Sequence, residues 1–214
     1  MTSEQVLGHL AYKIANATVN PFPFPHIYVP EIFPWPFYEE IRDQLPELAD
    51  YKGNVDGKYK SRVFNDAKLP LLDPLRGKDF TNIACHPFRD KISKRFGGSF
   101  EAGTDLRLVS DAKDYSIGPH TDAPNKVLSF LFYLPHSNEI GHLGTSIYLP
   151  IDQTFRCEGG PHYPYENFVK IATMPYMPNS LFAFFKTNFS FHGVEPITMP
   201  VRRDVLLWNL YGKK

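Results

Sequence analysis

Two histidines and one aspartate have the types and spacing needed to bind a single metal ion. His120 and Asp122 stand in the segment GPHTD, and no other of the eight histidines has an acidic residue two positions later. Side chains two apart on an extended chain project to one face, so these two can converge on one ion. We predict His192, 72 residues downstream in FSFHGV, as the third ligand. Two histidines and one carboxylate leave coordination positions open, as in non-haem Fe(II) centres.

The His120/Asp122 pair is weak evidence when taken alone. With eight histidines and 23 acidic residues in 214, about one such pair is expected by chance. The prediction therefore depends on further residues that complete the same kind of site.

A pair of arginines supplies the second clue. Arg202 and Arg203 lie ten and eleven residues after His192, at the start of the apolar run RRDVLLWNLY. An arginine carried into a β-barrel on such a strand is costly unless its guanidinium meets an anion. A small dicarboxylate fits this requirement, because one end pairs with the arginine while the other end chelates the metal.

The segments that must position these residues are predicted to form a β-sandwich or barrel. From Thr104 onward, short β-type runs alternate with Pro, Gly, Asn and Asp, without long helices between them. Upstream, helices are expected near residues 3–14, after Pro34, and over 77–96, with Pro87 splitting the last. Residues 50–68 are predicted to form a surface loop, a candidate lid. We expect one domain over 1–214, in which 1–100 is a helical support region and 101–214 a jelly-roll core.

The chain resembles the 2-oxoglutarate/Fe(II)-dependent oxygenase superfamily, in its prolyl 4-hydroxylase-like branch. The resemblance covers roughly residues 104–210 and lies in these segments: DLRLVSDAKDYSIGPHTD, KVLSFLFYLP, HLGTSIYLP, MPNSLFAFFKTNFSFHGVEPI and RRDVLLWNLY. It implies a mainly β, double-stranded β-helix fold of the cupin-like jelly-roll type, with Fe(II), 2-oxoglutarate as co-substrate, and O2.

The resemblance also assigns individual roles. His120, Asp122 and His192 match the metal ligands and so the catalytic centre. Arg202 matches the basic residue that binds the distal carboxylate of 2-oxoglutarate, with Arg203 as its rival, since alternation lets only one of them point inward. We prefer Arg202. Ser129 falls where the family has a hydroxyl residue that helps to hold the same carboxylate.

The chain departs from the pattern at one place: Leu108 and Val109 stand where those enzymes carry a tyrosine that contacts 2-oxoglutarate. Because Asp122 is not Gly or Ala, the resemblance disfavours a halogenase. It implies hydroxylation, or a related desaturation or ring closure, coupled to oxidative decarboxylation of 2-oxoglutarate to succinate and CO2.

Composition limits the partners. The 23 basic and 23 acidic residues balance, so no nucleic-acid partner is expected. No apolar run approaches the ~20 residues that a membrane-spanning helix requires, and the N-terminus lacks an export signal, which predicts a cytoplasmic protein. Cys85 and Cys157 have neither a disulfide nor a zinc spacing. The expected partner is a small-molecule or side-chain substrate of a monomer or homodimer.

Two other functions use the same residues differently. A cupin-like protein would bind metal at the same ligands for a non-oxidative isomerase or sensor role. A carbohydrate-binding jelly roll would contain the His120/Asp122 pair by accident. The loops carry no motif that identifies the substrate.

Overall fold

A computed structural model describes residues 1–53, 62–65, 67–97 and 100–213 of the chain. Over these residues there are four α-helices, α1 (Ser3–Ala15), α2 (Trp35–Asp43), α3 (Lys78–Cys85) and α4 (Arg89–Phe96). Eleven strands are β1 (His26–Pro30), β2 (Lys52–Gly53), β3 (Arg62–Asn65), β4 (Glu101–Asp111), β5 (Ile117–His120), β6 (Lys126–Tyr133), β7 (Ser146–Pro150), β8 (Phe168–Thr173), β9 (Ser180–Phe185), β10 (His192–Val194) and β11 (Arg203–Lys213).

The strands form two antiparallel sheets. Within the described ranges, the larger sheet has the order β1-β9-β6-β11-β4-β3-β2, and the smaller has the order β5-β10-β7-β8. The chain thus passes repeatedly between the sheets, and its helices lie outside them. The predicted double-stranded β-helix is confirmed.

The larger sheet separates two apolar cores because its residues alternate between faces. One face packs against the helices, and α1 contributes Val6, Leu10 and Ile14 to that core. On β11, Leu206, Trp208 and Leu210 face the same way. The opposite face looks toward the smaller sheet and carries the odd-numbered residues of β11, so the register of β11 decides which side chains reach the interior.

The three regions predicted to be helical are helical in the structure. Thr2 and Gln5 form a capping box at the start of α1, and a 3-10 turn over His86–Phe88, which contains Pro87, separates α3 from α4. The first hundred residues also supply three strands to the larger sheet. One of them, β1, pairs with β9 along its whole length.

The predicted loop over 50–68 lies partly outside the described residues. In its described part, β2 and β3 pair at the edge of the larger sheet, and β3 pairs with β4. No helix in the described ranges has both the length and the apolar character required to cross a bilayer.

Candidate active site

The three predicted metal ligands lie together between the two sheets. His120 ends β5 and His192 begins β10, and the two residues are directly paired across these antiparallel strands. Asp122 follows two residues after β5. Imidazole and carboxylate atoms from the three residues all lie within 4.8 Å of one another, and the two imidazole centroids are 4.4 Å apart.

Close approach of the strands at this point depends on Gly193. A Cβ at this position would lie 2.4 Å from the carbonyl oxygen of Ile117, so a larger residue would push β10 away from β5. The glycine after His192 therefore keeps the paired imidazoles together.

Both imidazoles are oriented by backbone carbonyls. The Nδ1 of His120 is 2.9 Å from the oxygen of Gly118, and the Nδ1 of His192 is 2.9 Å from the oxygen of Ser190. A proton on Nδ1 that donates to these oxygens leaves Nε2 as the free lone pair, the form that binds a metal. The local backbone thus fixes the tautomer of each ligand.

Both oxygens of Asp122 accept hydrogen bonds. Lys126 donates to Oδ1 at 2.9 Å and Ser129 donates to Oδ2 at 2.7 Å. Neither partner was recognised from the sequence as an Asp122 contact, although Lys126 stands four residues after it. These donors hold the carboxylate toward the imidazoles.

The electrostatics favour the protonation states that a metal requires. Burial lowers the pKa of His120 well below its usual value, and the nearby His192 lowers it further. Burial likewise lowers the pKa of His192. Burial acts to raise the pKa of Asp122, but Lys126 and the two imidazoles outweigh it and hold that pKa below its usual value. At neutral pH the group therefore presents two neutral imidazoles and one carboxylate.

These residues line a cavity of about 290 Å³ that continues between the sheets. Its inner end carries Arg203, which is 1% exposed, and Thr145, also 1% exposed. Arg203 donates from Nη1 to Asp111 at 2.7 Å and from Nε to the oxygen of Leu143 at 2.5 Å. Among the described residues, Nη2 of Arg203 and the hydroxyl of Thr145 have no hydrogen-bond partner.

Arg202 lies on the other side of the sheet. Its Nη2 donates to the oxygen of Pro46 at 2.8 Å, and its Nε is 2.7 Å from Oδ2 of Asp204. This placement contradicts the prediction that Arg202, and not Arg203, binds the distal carboxylate of 2-oxoglutarate. The physical reason is register: β11 begins at Arg203, and its odd-numbered residues line the cavity.

Ser129 also lies elsewhere than its predicted role requires. It pairs with Asn209 on β11, six residues beyond Arg203, a backbone separation of about 20 Å at the usual rise per residue. Ser129 lines the cavity but contacts Asp122, so it cannot share a carboxylate with Arg203.

The segment around His162 covers one side of the centre. The backbone N–H of Tyr163 donates to the oxygen of Pro119 at 2.9 Å, and the rings of His162 and His120 are 4.9 Å apart. A Cβ at Gly118 would lie 2.6 Å from the oxygen of Tyr163, so Gly118 is what allows the segment to lie this close to β5.

No protein-family model and no curated protein matches the sequence. Solved structures match the fold. A prolyl-4-hydroxylase of Pseudomonas putida superposes with a TM-score of 0.59 over 97% of this chain and 99% of that chain, at 11% identity. A prolyl hydroxylase of Trichoplax adhaerens, in complex with a peptide fragment of a hypoxia inducible factor, gives 0.54 over 98% and 90%, at 14% identity.

A third solved structure has a different activity. The non-haem, α-ketoglutarate-dependent epimerase SnoN from nogalamycin biosynthesis superposes with a TM-score of 0.53 over 96% of this chain and 82% of that chain, at 15% identity. The chain has the fold of the 2-oxoglutarate/Fe(II) oxygenases. The resemblance to the prolyl hydroxylase-like branch is thereby confirmed at the level of fold. Because the oxygenase fold carries several reactions, the chemistry must be argued from the site.

Proposed function

We propose that the chain is an Fe(II)- and 2-oxoglutarate-dependent dioxygenase that hydroxylates a small-molecule substrate. The observation that carries this proposal is the position of Arg203 and Thr145 at the inner end of the cavity that holds the three ligands. Both present a buried polar atom without a partner among the described residues. Leaving such an atom unpaired costs free energy, and a carboxylate would satisfy both.

The residues present suit both ligands. His120, Asp122 and His192 would hold Fe(II), and Arg203 and Thr145 would bind the distal carboxylate of 2-oxoglutarate, whose other end chelates the metal. The iron, when bound, supplies the activation of O2 for attack on an unactivated C–H bond. The chain's residues would hold the two molecules between the sheets, in a cavity lined by both polar and apolar side chains.

The overall reaction balances without another reductant. One oxygen atom of O2 enters the substrate as a hydroxyl group and the other enters succinate, while 2-oxoglutarate loses CO2. The C–H bond and the decarboxylation each supply two of the four electrons that O2 accepts.

Spectroscopy and thermal denaturation test the proposal together. Anaerobic protein with Fe(II) should develop a weak visible charge-transfer band when 2-oxoglutarate is added, and 2-oxoglutarate should raise Tm further only when metal is present. Metal binding indifferent to 2-oxoglutarate, with no succinate formed in air, would instead support the cupin-like isomerase or sensor. Absence of metal binding would instead support the carbohydrate-binding jelly roll, in which the His120/Asp122 pair is accidental.

The Thr145→Val variant should weaken 2-oxoglutarate binding while stabilising the fold. Valine has nearly the shape of threonine but lacks the buried hydroxyl that has no partner. We expect the KM for 2-oxoglutarate to rise about fivefold, and the free energy of unfolding of the ligand-free protein to rise by about 1 kcal/mol. Steady-state succinate assays and urea denaturation measure the two effects, and a fall in both KM and stability would contradict the assignment.

The Lys126→Met variant should bind metal more tightly. The Lys126 ammonium group pairs with Oδ1 of Asp122, so it offsets part of the negative charge that attracts a divalent ion, and such pairs contribute up to about 1 kcal/mol. We expect the Kd for Mn²⁺ to fall about fivefold by calorimetry. The exposed Lys170, which pairs with Glu195, provides the control Lys170→Met, whose affinity should not change. A weaker affinity in Lys126→Met would show that the lysine assists the metal site instead.

A further inference from the structure

The outer end of the cavity carries a second polar cluster on the far side of the three ligands from Arg203. Asp105 and Arg107 on β4 and Asn209 and Tyr211 on β11 all line it. The Nη2 of Arg107 lies 3.1 Å from Oδ2 of Asp105. Asn209 donates to Oδ1 of Asp105 at 2.7 Å and Tyr211 donates to Oδ2 at 3.3 Å. The Asp105 carboxylate is thus held in one orientation by two hydrogen bonds and one ion pair.

This cluster lies where the cavity meets solvent. The side chain of Arg107 is 52% exposed and that of Asp105 is 23% exposed, whereas Arg203 at the other end is 1% exposed. Asp105 and Arg107 therefore line a more exposed part of the cavity than Arg203 does.

Stability does not account for the cluster. A partly exposed pair such as Arg107 and Asp105 contributes little to folding. Asn209 is 6% exposed on a central strand, where asparagine is disfavoured, and its inward-facing neighbours two residues away are Leu207 and Tyr211. The buried amide serves to orient Asp105.

Two opposite charges side by side are complementary to a zwitterion. The ammonium nitrogen and the carboxylate carbon of an α-amino acid are about 2.5 Å apart, close to the 3.1 Å that separates the charged atoms of Arg107 and Asp105. The ammonium group of such a molecule can donate to Asp105 while its carboxylate accepts from Arg107, without separating the pair.

Strand register directs the rest of the molecule toward the metal ligands. Asn209 is paired with Asp105 on one side and with Ser129 on the other. Two such cross-strand steps span about 10 Å, and Ser129 contacts Asp122. A side chain that extends from an α-carbon bound near Asp105 thus runs along this row to the centre.

We propose that Asp105 and Arg107 form the substrate subsite and that the substrate is a free α-amino acid, hydroxylated on a side-chain carbon. This inference rests on the proposed function and specifies its substrate class. The cavity, about 290 Å³ in total including the space for 2-oxoglutarate, is small enough to favour a compact molecule over a folded protein segment.

The test supplies individual amino acids to the full chain with Fe(II), 2-oxoglutarate and O2. Each of the twenty proteinogenic amino acids is compared with its N-acetyl and carboxamide derivatives and with a proline-containing peptide. Mass spectrometry follows addition of one oxygen atom, and succinate is measured in the same samples. We expect at least one free amino acid to be hydroxylated with equal succinate, and its two derivatives to lose about a hundredfold in kcat/KM.

Substitutions at Asp105 and Arg107 test whether these two residues bind the amino acid. Asp105→Asn and Arg107→Gln should each raise the KM for the amino acid about thirtyfold. They should leave Tm unchanged, because a partly exposed pair such as Asp105 and Arg107 contributes little to folding. Lys170→Gln, on the exposed Lys170–Glu195 pair, should change neither quantity.

Failures of the two proposals are distinguishable. Hydroxylation of the peptide or of the blocked derivatives but of no free amino acid, or unchanged KM in both variants, overturns the inference and leaves the dioxygenase assignment standing. Succinate formation without any hydroxylated amino acid also overturns it. Absence of both succinate and the charge-transfer band overturns the proposed function itself.

Discussion

Alanine in place of His192 is expected to abolish 2-oxoglutarate turnover. Loss of a residue that only orients a metal ligand typically costs about 10- to 100-fold, so loss of the ligand itself should lower succinate formation by more than about a thousandfold. Binding of Mn²⁺ should weaken in parallel. Discontinuous succinate assays and calorimetry measure the two effects on the same preparation.

The fold should survive this substitution. His192 contributes to β10 through its backbone, which pairs with β5 and β7, and alanine preserves those pairings. The exposed His142, which does not line the central cavity, provides the control His142→Ala, for which turnover and metal affinity should match the parent. If His192→Ala retained turnover at a parental Tm, the three residues would not be the catalytic centre.

The Arg203→Lys variant is expected to raise the KM for 2-oxoglutarate about thirtyfold, equivalent to about 2 kcal/mol. Lysine keeps the positive charge beside Asp111, which avoids leaving a buried carboxylate uncompensated. It cannot also reproduce the guanidinium fork that reaches Asp111, Leu143 and the cavity from one group. Co-substrate binding should therefore weaken, and Tm should also fall because the buried carbonyl of Leu143 loses its donor.

The neighbouring arginine offers a matched control. Arg202→Lys makes the same chemical change one residue away, where the side chain contacts Pro46 and Asp204. Its KM for 2-oxoglutarate should stay within about twofold of the parent. The opposite result, with Arg202→Lys impaired and Arg203→Lys normal, would restore the preference for Arg202 and refute the carboxylate site at Arg203 and Thr145.

Local patterns in the sequence were sufficient for much of the fold. Thr2 and Gln5 marked the start of α1, and Pro87 marked the break between α3 and α4, because caps and prolines act within a few residues. The strands after Thr104 were recognisable from their apolar runs between turn residues. That β1 pairs with β9, more than a hundred residues away, had no comparable local signal.

The candidate site divides in the same way. His120, Asp122 and His192 were identifiable because few residue types bind metals and because His120 and Asp122 share one face of an extended segment. The sequence did not identify the contacts of Ser129 and Lys126 with Asp122. It did not identify the contact of Asn209 with Asp105 either. Asn209 did leave a signal, as a polar residue within an apolar run, but only its strand partners show what it contacts.

Residue chemistry thus determined the kind of site: two imidazoles, a carboxylate, and an arginine to meet an anion. The tertiary structure decided which arginine. Arg202 and Arg203 are chemically identical and adjacent, and a shift of one residue in a strand moves every side chain to the opposite face. The register of β11, with Arg203 opposite Asp111 and Asn209 opposite Asp105, depends on pairing with β4 and β6 and on burial of Trp208 against the helices. Those contacts join residues distant in the chain, so a local pattern cannot specify them.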